Sequence, residues 1–590
     1  MPATAAAPSA NANIARHLAT MAAAQPATAA LKIPRGRTPD GRIDYLTLTF
    51  AELAAEVAAW QTRLTAAGIR PGDRTLVMVR PGLPLIAAAF ALFSLGAVPV
   101  VIDPGMGLKN FLACVARSRP RALVGIPFAR LLSHLCRRAF ATVEIRLPAS
   151  NSLTARLTPS GSQLSTLNPQ LVNSAAADLA AALFTSGSTG TPKGVCYEHG
   201  HFDAQVRLIR AAYDIQPGEI DLPLLPIFAL FNPALGVTTI IPELDPRRPA
   251  TLDPAKIVQA IRQENVTTSF GSPTLWQKIG AHCLAEKITL PKLRRVLCAG
   301  APVPATLWEN SRTFLPNGQL HSPYGATESL PLATISADEI LALPRASNSG
   351  ACVGRPLREI EIKIIAPTDI PLATLDDARE LPPGEIGEII ARGPVVTKSY
   401  DALPEATAAA KIAAANIERP TPNAQSPTQT AANLGVGRSM LDVESSAAFG
   451  GAWHRLGDCG YLDAAGRLWF CGRKAERVET AHGTLHTEPC EQVFRSHPRV
   501  TRCALIGLGE RGHQHPALVV ETRPANSADA SALARELRVL ALQHAPTTAI
   551  KLFFFHPKFP VDVRHNAKIH RLTLAKWAAT ARAFDGDLKT

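Results

Sequence analysis

Short apolar, β-branched runs recur along the first half of the chain, each separated from the next by a stretch with helical spacing. They fall at residues 75–79, 98–102, 122–125, 181–185, 267–269 and 295–299. Strands paired in the same direction require the chain to cross back over the sheet, and a helix usually makes that crossing. The alternation therefore predicts an α/β fold with largely parallel strands. Segment 50–68, FAELAAEVAAWQTRLTAAG, is a clear example of such a helix: apolar side chains repeat at helical spacing and a glycine closes the run. At 590 residues the chain exceeds one hydrophobic core, so two or more domains are expected. From about residue 475 the pattern suits a compact α+β unit of typical domain size.

One apolar run leads directly into LFTSGSTGTPKG, residues 183–194. The hydroxyls of Thr185, Ser186, Ser188 and Thr189 alternate with Gly187 and Gly190, and Lys193 follows a proline. Glycine lets the backbone approach a ligand closely, and main-chain N–H groups, hydroxyls and one ammonium can surround phosphate oxygens. It is not a Walker loop, because Pro192 precedes the lysine and Gly194, not Ser or Thr, follows it. A flexible linker is the alternative, but linkers seldom follow a strand-like run such as Ala180-Ala181-Ala182-Leu183-Phe184.

Composition excludes several function classes. Lys and Arg number 61 against 48 Asp and Glu, a net charge of +13, yet no basic stripe interleaved with aromatics indicates a nucleic-acid binder. The positive balance favours anionic substrates and acidic partners. Ten scattered cysteines form no CxxC pair, so reduced thiols in a cytoplasm are expected, and no histidine–cysteine cluster has metal-ligand spacing. The N-terminus lacks the pattern of a signal peptide. Residues 83–102 are long enough to span a bilayer, but Pro84, Ser94, Gly96 and Pro99 make them read as a buried helix, a turn and a strand, so no transmembrane segment is expected. Residues 150–178 read as a polar surface excursion, and 413–449, rich in turn formers, as a disordered insertion.

Three further motifs carry chemistry. Gly300-Ala301-Pro302 follows an apolar run, where a strand tip can meet an adenine. HSPYGATES (321–329) places Tyr324 and Gly325 before Thr327 and Glu328. The aromatic face can stack on a purine, the hydroxyl can reach an α-phosphate, and the carboxylate can hold a Mg²⁺ bridging phosphates. Asp458 of Leu456-Gly457-Asp458 can accept hydrogen bonds from both ribose hydroxyls, and Arg473 can donate to ribose or phosphate. Each has an ordinary reading as a turn, a helix cap or a surface bend. Their joint appearance, in this order and after the glycine-rich loop, resembles the adenylate-forming enzymes, which couple a carboxylate to AMP. That resemblance covers roughly residues 20–575 apart from the insertion. It implies a large N-terminal α/β domain, 1–473, and a smaller mobile α+β domain, 474–590, hinged near Lys474-Ala475. It also implies ATP and Mg²⁺, and it singles out Lys568, in FPVDVRHNAKIHRLTLAKWA (559–578), as the lysine that swings in to contact the substrate carboxylate and the α-phosphate. A compact ammonium on a long stem suits that task.

Within the superfamily, segments 221–250, 472–494, 559–571 and 101–107 resemble the OleC-type β-lactone synthetases of bacterial olefin biosynthesis. The resemblance implies activation of a long-chain β-hydroxy acid as its acyl-AMP, then attack by the substrate's own hydroxyl to close a β-lactone. It further implies a thiolase, a ketoreductase and a β-lactone decarboxylase acting alongside or in one assembly. Residues 227–235 are expected to line the acyl pocket, with Phe228 and Phe231 near the carboxylate. Asn232 stands where amino-acid-activating relatives, and the OleC-type pattern itself, tend to carry Asp, and it offers an ammonium no counter-charge. His199, His201 and His321 flank the motifs, and none is assigned as the base. The competing readings are a fatty acyl-CoA synthetase, an acyl-AMP ligase and, least supported, a non-catalytic scaffold. A scaffold has no need of Lys193, Glu328, Asp458, Arg473 and Lys568 together.

Overall fold

Thr49 starts the helix expected at 50–68. Its side chain accepts from the Glu52 N–H while the Glu52 carboxylate accepts from the Thr49 N–H, a reciprocal cap on helix Phe50–Ala66. That helix packs beside Leu83–Ser94, whose residues from Ile86 to Ser94 are all buried. After a turn at Gly96 the chain enters strand Val98–Ile102, so 83–102 is the buried helix, turn and strand its prolines and glycine indicated. Among the described residues no helix is long and apolar enough to cross a membrane. The computed structural model describes residues 11–149, 170–185, 192–245, 248–344, 349–413, 451–561 and 568–587. Most of the segment expected to be a surface excursion (150–178), nearly all of the expected insertion (413–449), and Ser186, Gly187, Ser188, Thr189 and Gly190 of the glycine-rich loop lie outside these.

Two sheets organise the larger part of the molecule. In the first, strands run in the order Ile145–Pro148, Ala122–Gly125, Arg74–Met78, Val98–Ile102, Leu179–Thr185 and Lys193–Glu198. Every neighbouring pair is parallel except the last, a hairpin. The second sheet has fourteen strands among the described residues. Its Ala29–Arg37, Thr238–Ile240, Ile220–Asp221, Thr268–Gly271, Arg295–Cys298 and Gln319–Ala326 strands pair parallel. From Gln319–Ala326 onward the pairing is antiparallel, beginning with Ser329–Ser336 and including Ala452–Leu462 with Leu468–Arg473. Short turns link Gln319–Ala326 to Ser329–Ser336 and Ala452–Leu462 to Leu468–Arg473, too short for a crossover helix. Parallel pairing thus accounts for most of the alternating region, and the later strands pair antiparallel, some as hairpins and some with strands distant in sequence.

The C-terminal part forms its own α+β layer. Strands Cys503–Leu508, His515–Glu521, Leu552–His556 and Phe584–Asp585 make a four-stranded sheet. Alternate residues face opposite sides, as strand geometry requires. Leu505, Leu518 and Val520 pack with Leu533 and Leu537 of helix Ser527–Leu542, while Ala504, Ile506, Ala517 and Val519 pack with Leu574 of helix Arg571–Ala578. At the junction, the Lys474 ammonium reaches Glu388 Oε2 at 3.1 Å in the larger part. On the other side, Arg571 pairs with Glu476 at 3.0 Å and Glu491 at 2.7 Å.

Candidate active site

The hairpin Leu179–Thr185/Lys193–Glu198 sets Thr185 opposite Lys193, so the glycine-rich loop is the closure of two paired strands. Only glycine fits after the lysine, since a Cβ on Gly194 would lie 2.5 Å from the Phe184 ring. The Lys193 ammonium sits 4.7 Å above the ring of Tyr400. The Tyr400 hydroxyl in turn donates to Glu328 Oε1 at 2.7 Å. Glu328 is held from behind as well: the Thr397 N–H and hydroxyl donate to its carbonyl at 2.9 and 3.0 Å. The Lys411 ammonium donates to the Thr397 carbonyl. Burial lowers the Lys411 pKa to about 7, against the pull of Glu328. Beside it, His454 shares a 3.1 Å contact through Nδ1 with the Ala410 carbonyl, and burial holds its ring neutral. Tyr400 thus stands between Lys193 and the Glu328 carboxylate, and Lys411 lies behind the Thr397 that holds the Glu328 backbone. That arrangement suits a polyphosphate and its counter-ion.

The turn between Tyr324 and Glu328 also demands glycine, because a Cβ on Gly325 would meet the Ser329 carbonyl at 2.5 Å. The Thr327 carbonyl accepts from the Tyr197 hydroxyl, which fixes that turn to the first sheet. Tyr324 donates to Asp458 Oδ2 at 2.7 Å. Asp458 and Arg473 are partners across adjacent antiparallel strands, and Arg473 Nη1 lies 2.7 Å from Asp458 Oδ1. The guanidinium N–H does not point along that contact, so buried Oδ1 has no hydrogen bond within the described residues. Burial raises the Asp458 pKa, while Arg473, the Tyr324 hydroxyl and the charge of Lys568 oppose it. Lys568 therefore stands close enough to Asp458 to act on it electrostatically. An ion-paired acid with an aromatic hydroxyl bonded to it and an arginine beside it suits a ribose and the phosphate that follows. Strand Arg295–Cys298 pairs parallel with Gln319–Ala326, Arg295 opposite Gln319. Gly300 lies two residues past the end of that strand with a φ of +101°, a conformation that favours glycine, and Ala301 and Pro302 follow it.

Phe228, Phe231 and Asn232 lie together on the wall of an apolar cavity that also touches Phe270, Leu297 and Leu330. Phe228 stacks on Phe270 with centroids 3.7 Å apart. Asn232 is committed: its amide donates to Asp221 Oδ2 at 2.8 Å and to Thr239 Oγ1 at 2.9 Å. The pocket therefore does contain a carboxyl group, on a strand end instead of at position 232. The three flanking histidines are structural. Burial pushes His199, His201 and His321 down to about 4, and the His199 Nδ1 accepts from the Ile14 N–H at 3.1 Å. Between pH 6.5 and about 4 the unfolded chain binds protons that these rings refuse, so stability falls as pH drops through that window. The thermal midpoint should decline over it, and His199→Asn should flatten the slope.

Tyr400, Thr397, Lys411, His454 and Asp221 were not singled out from the sequence. For two of them a signal existed: Asp221 opens the apolar run DLPLLPIFALF, and Lys411 is a lone charge between Ala410 and Ile412. A buried charge of this kind needs a partner or a function.

A family model described as AMP-binding enzyme matches residues 19–401, about two thirds of the sequence. The chain belongs to the AMP-binding enzyme family. It is 42% identical over 580 residues to an olefin β-lactone synthetase of Xanthomonas campestris pv. campestris, covering 97% of this chain and 98% of that one. A second olefin β-lactone synthetase, from Stenotrophomonas maltophilia, is 42% identical over 577 residues, covering 96% and 98%. Among solved structures, ATP-bound MatB from Rhodopseudomonas palustris shares the fold with a TM-score of 0.72 at 20% identity, covering 97% of this chain and 99% of that chain. The family match ends at residue 401, before Asp458, Arg473 and Lys568, while the 97% coverage of the first relative carries the likeness into the C-terminal part.

Proposed function

We propose that this AMP-binding enzyme is an ATP-dependent ligase that converts a long-chain β-hydroxy acid into a β-lactone, AMP and pyrophosphate. The likeness to olefin β-lactone synthetases over nearly the whole chain carries the reading. A substrate carboxylate oxygen attacks the α-phosphorus of ATP and pyrophosphate departs, leaving the acyl-adenylate. The β-hydroxyl oxygen then attacks the activated carbonyl carbon, AMP leaves with the electron pair of the broken C–O bond, and the hydroxyl proton is released. Because nucleophile and electrophile belong to one molecule, the second step needs only orientation. Tyr324, Asp458 and Arg473 would seat the nucleoside, Lys193 and the Thr185–Gly190 loop the phosphates, Thr327 the α-phosphate, and Lys568 would meet the reacting carboxylate and α-phosphate. Glu328 would hold Mg²⁺, which neutralises phosphate charge when bound. Apolar Phe228 and Phe231 would take the acyl chain and keep water from the adenylate.

In this reading the C-terminal part, residues 474–590, is a mobile domain that delivers Lys568, and the larger domain spans 1–473. The enzyme works in the cytoplasm beside a thiolase, a ketoreductase and a β-lactone decarboxylase, and copurification of those activities with this chain is the expected result. The deciding experiment is product analysis by mass spectrometry and NMR from a long-chain β-hydroxy acid with Mg·ATP, with and without CoA. A β-lactone formed equally in both supports the reading. A thioester formed only with CoA would move the chain to the acyl-CoA synthetases. Glu328→Ala should shift the Mg²⁺ titration of pyrophosphate exchange to higher concentration, and an unchanged titration would remove Glu328 from the metal site.

A further inference from the structure

Asp221 is the last residue of strand Ile220–Asp221 and is 6% exposed. One carboxyl oxygen, Oδ2, is tied to the Asn232 amide, and the other, Oδ1, has no hydrogen-bond partner within the described residues. The residue lines the cavity that holds Phe228 and Phe231, with about 60 Å³ of free volume, on walls that are otherwise almost wholly apolar. Leaving a buried polar oxygen unpaired is costly, and such groups normally mark a missing partner. Neighbouring Glu219 is not available, since Arg295 engages it. In open α/β sheets, ligands bind at the carboxyl ends of the parallel strands, and Asp221 occupies such an end.

We propose that Asp221 Oδ1 receives the hydroxyl of the acyl substrate, so that this cavity selects hydroxylated acids over plain fatty acids. This deepens the proposed function and rests on its reading of the cavity as the acyl pocket. A hydroxyl needs one partner and Oδ1 offers one acceptor, whereas an ammonium brings three donors to walls that could pair only one. Burial pushes the carboxyl up to about 7, with the Asn232 hydrogen bond opposing and Glu219 adding to the rise. Near neutral pH the group is therefore a poor counter-ion but a good hydrogen-bond partner. Asn232 acts as a positioning residue: by holding Oδ2 it fixes the carboxyl plane and leaves Oδ1 as the unpaired oxygen.

The test measures ATP–pyrophosphate exchange by the full chain with a long-chain 3-hydroxy acid, the matched unsubstituted acid and the matched 3-amino acid. Wild type is compared with Asp221→Asn and Asp221→Ala. The expected result is a loss of about 10- to 100-fold in kcat/KM for the hydroxy acid in both variants, with the plain acid nearly unchanged. Asp221→Asn keeps size and shape, and an unaltered thermal midpoint would confirm its fold. Equal losses for both acids, or no loss for either, would overturn the inference and leave the function standing. A larger loss for the amino acid would make the site an ammonium pocket and overturn it too. No exchange by wild type with any of the acids would overturn the proposed function, and this inference with it.

Discussion

On the role proposed for Lys568, Lys568→Ala is expected to lower the rate of acyl-adenylate formation by about 10²–10³-fold, the cost of removing one preorganised donor from developing charge. The charge of Lys568 opposes the rise in the Asp458 pKa, in keeping with the role proposed for it. In the displacement of pyrophosphate, negative charge builds on the phosphate oxygens while a second anion, the carboxylate, approaches. A point charge at that position stabilises the transition state more than the bound nucleotide, so the loss falls on rate. Nucleotide affinity should change little, because Asp458, Tyr324 and Arg473 remain. Pyrophosphate exchange measures the first quantity and titration calorimetry with ATP the second. Full exchange in the variant would remove Lys568 from the chemistry.

Arg455→Met destabilises the larger part of the molecule by about 3–5 kcal/mol, the usual penalty for breaking a buried ion pair by removing one partner. Arg455 and Glu388 are 5% and 1% exposed at their side chains. The guanidinium meets Glu388 through two contacts, Nε to Oε1 at 3.1 Å and Nη2 to Oε2 at 2.6 Å. It also donates to the Thr368, Ile370 and Ala409 carbonyls. Methionine satisfies none of these, and among the described residues Lys474 is the cation left against the carboxylate. The thermal midpoint should fall clearly, and adding Glu388→Gln should recover part of the loss. No recovery would mean that the carbonyls, not the stranded charge, set the cost.

The motifs were legible because each solves a local backbone problem. Gly194 exists because Phe184 packs against its backbone, and Gly325 because the Ser329 carbonyl approaches it. Such constraints lie within a few residues, so the residue types announce them. The alternation of strands and helices was legible for the same reason, since the periodicity of apolar side chains is a property of the segment itself. The shift to antiparallel pairing after Gln319–Ala326 was not, because a short apolar run looks alike in either direction.

By itself the sequence determined the α/β class and the family motifs, the glycine-rich segment with Lys193, Tyr324–Glu328, and Asp458 with Arg473, all carried by residues close together or by characteristic order. Only the tertiary structure decided that Tyr400 stands between Lys193 and Glu328, that Lys411 backs Thr397, and that Asp221 keeps an unpaired oxygen in the cavity. A polar residue in an apolar run states that its burial must be compensated. Which group compensates it depends on strands brought together from distant parts of the chain, and no local pattern encodes that meeting.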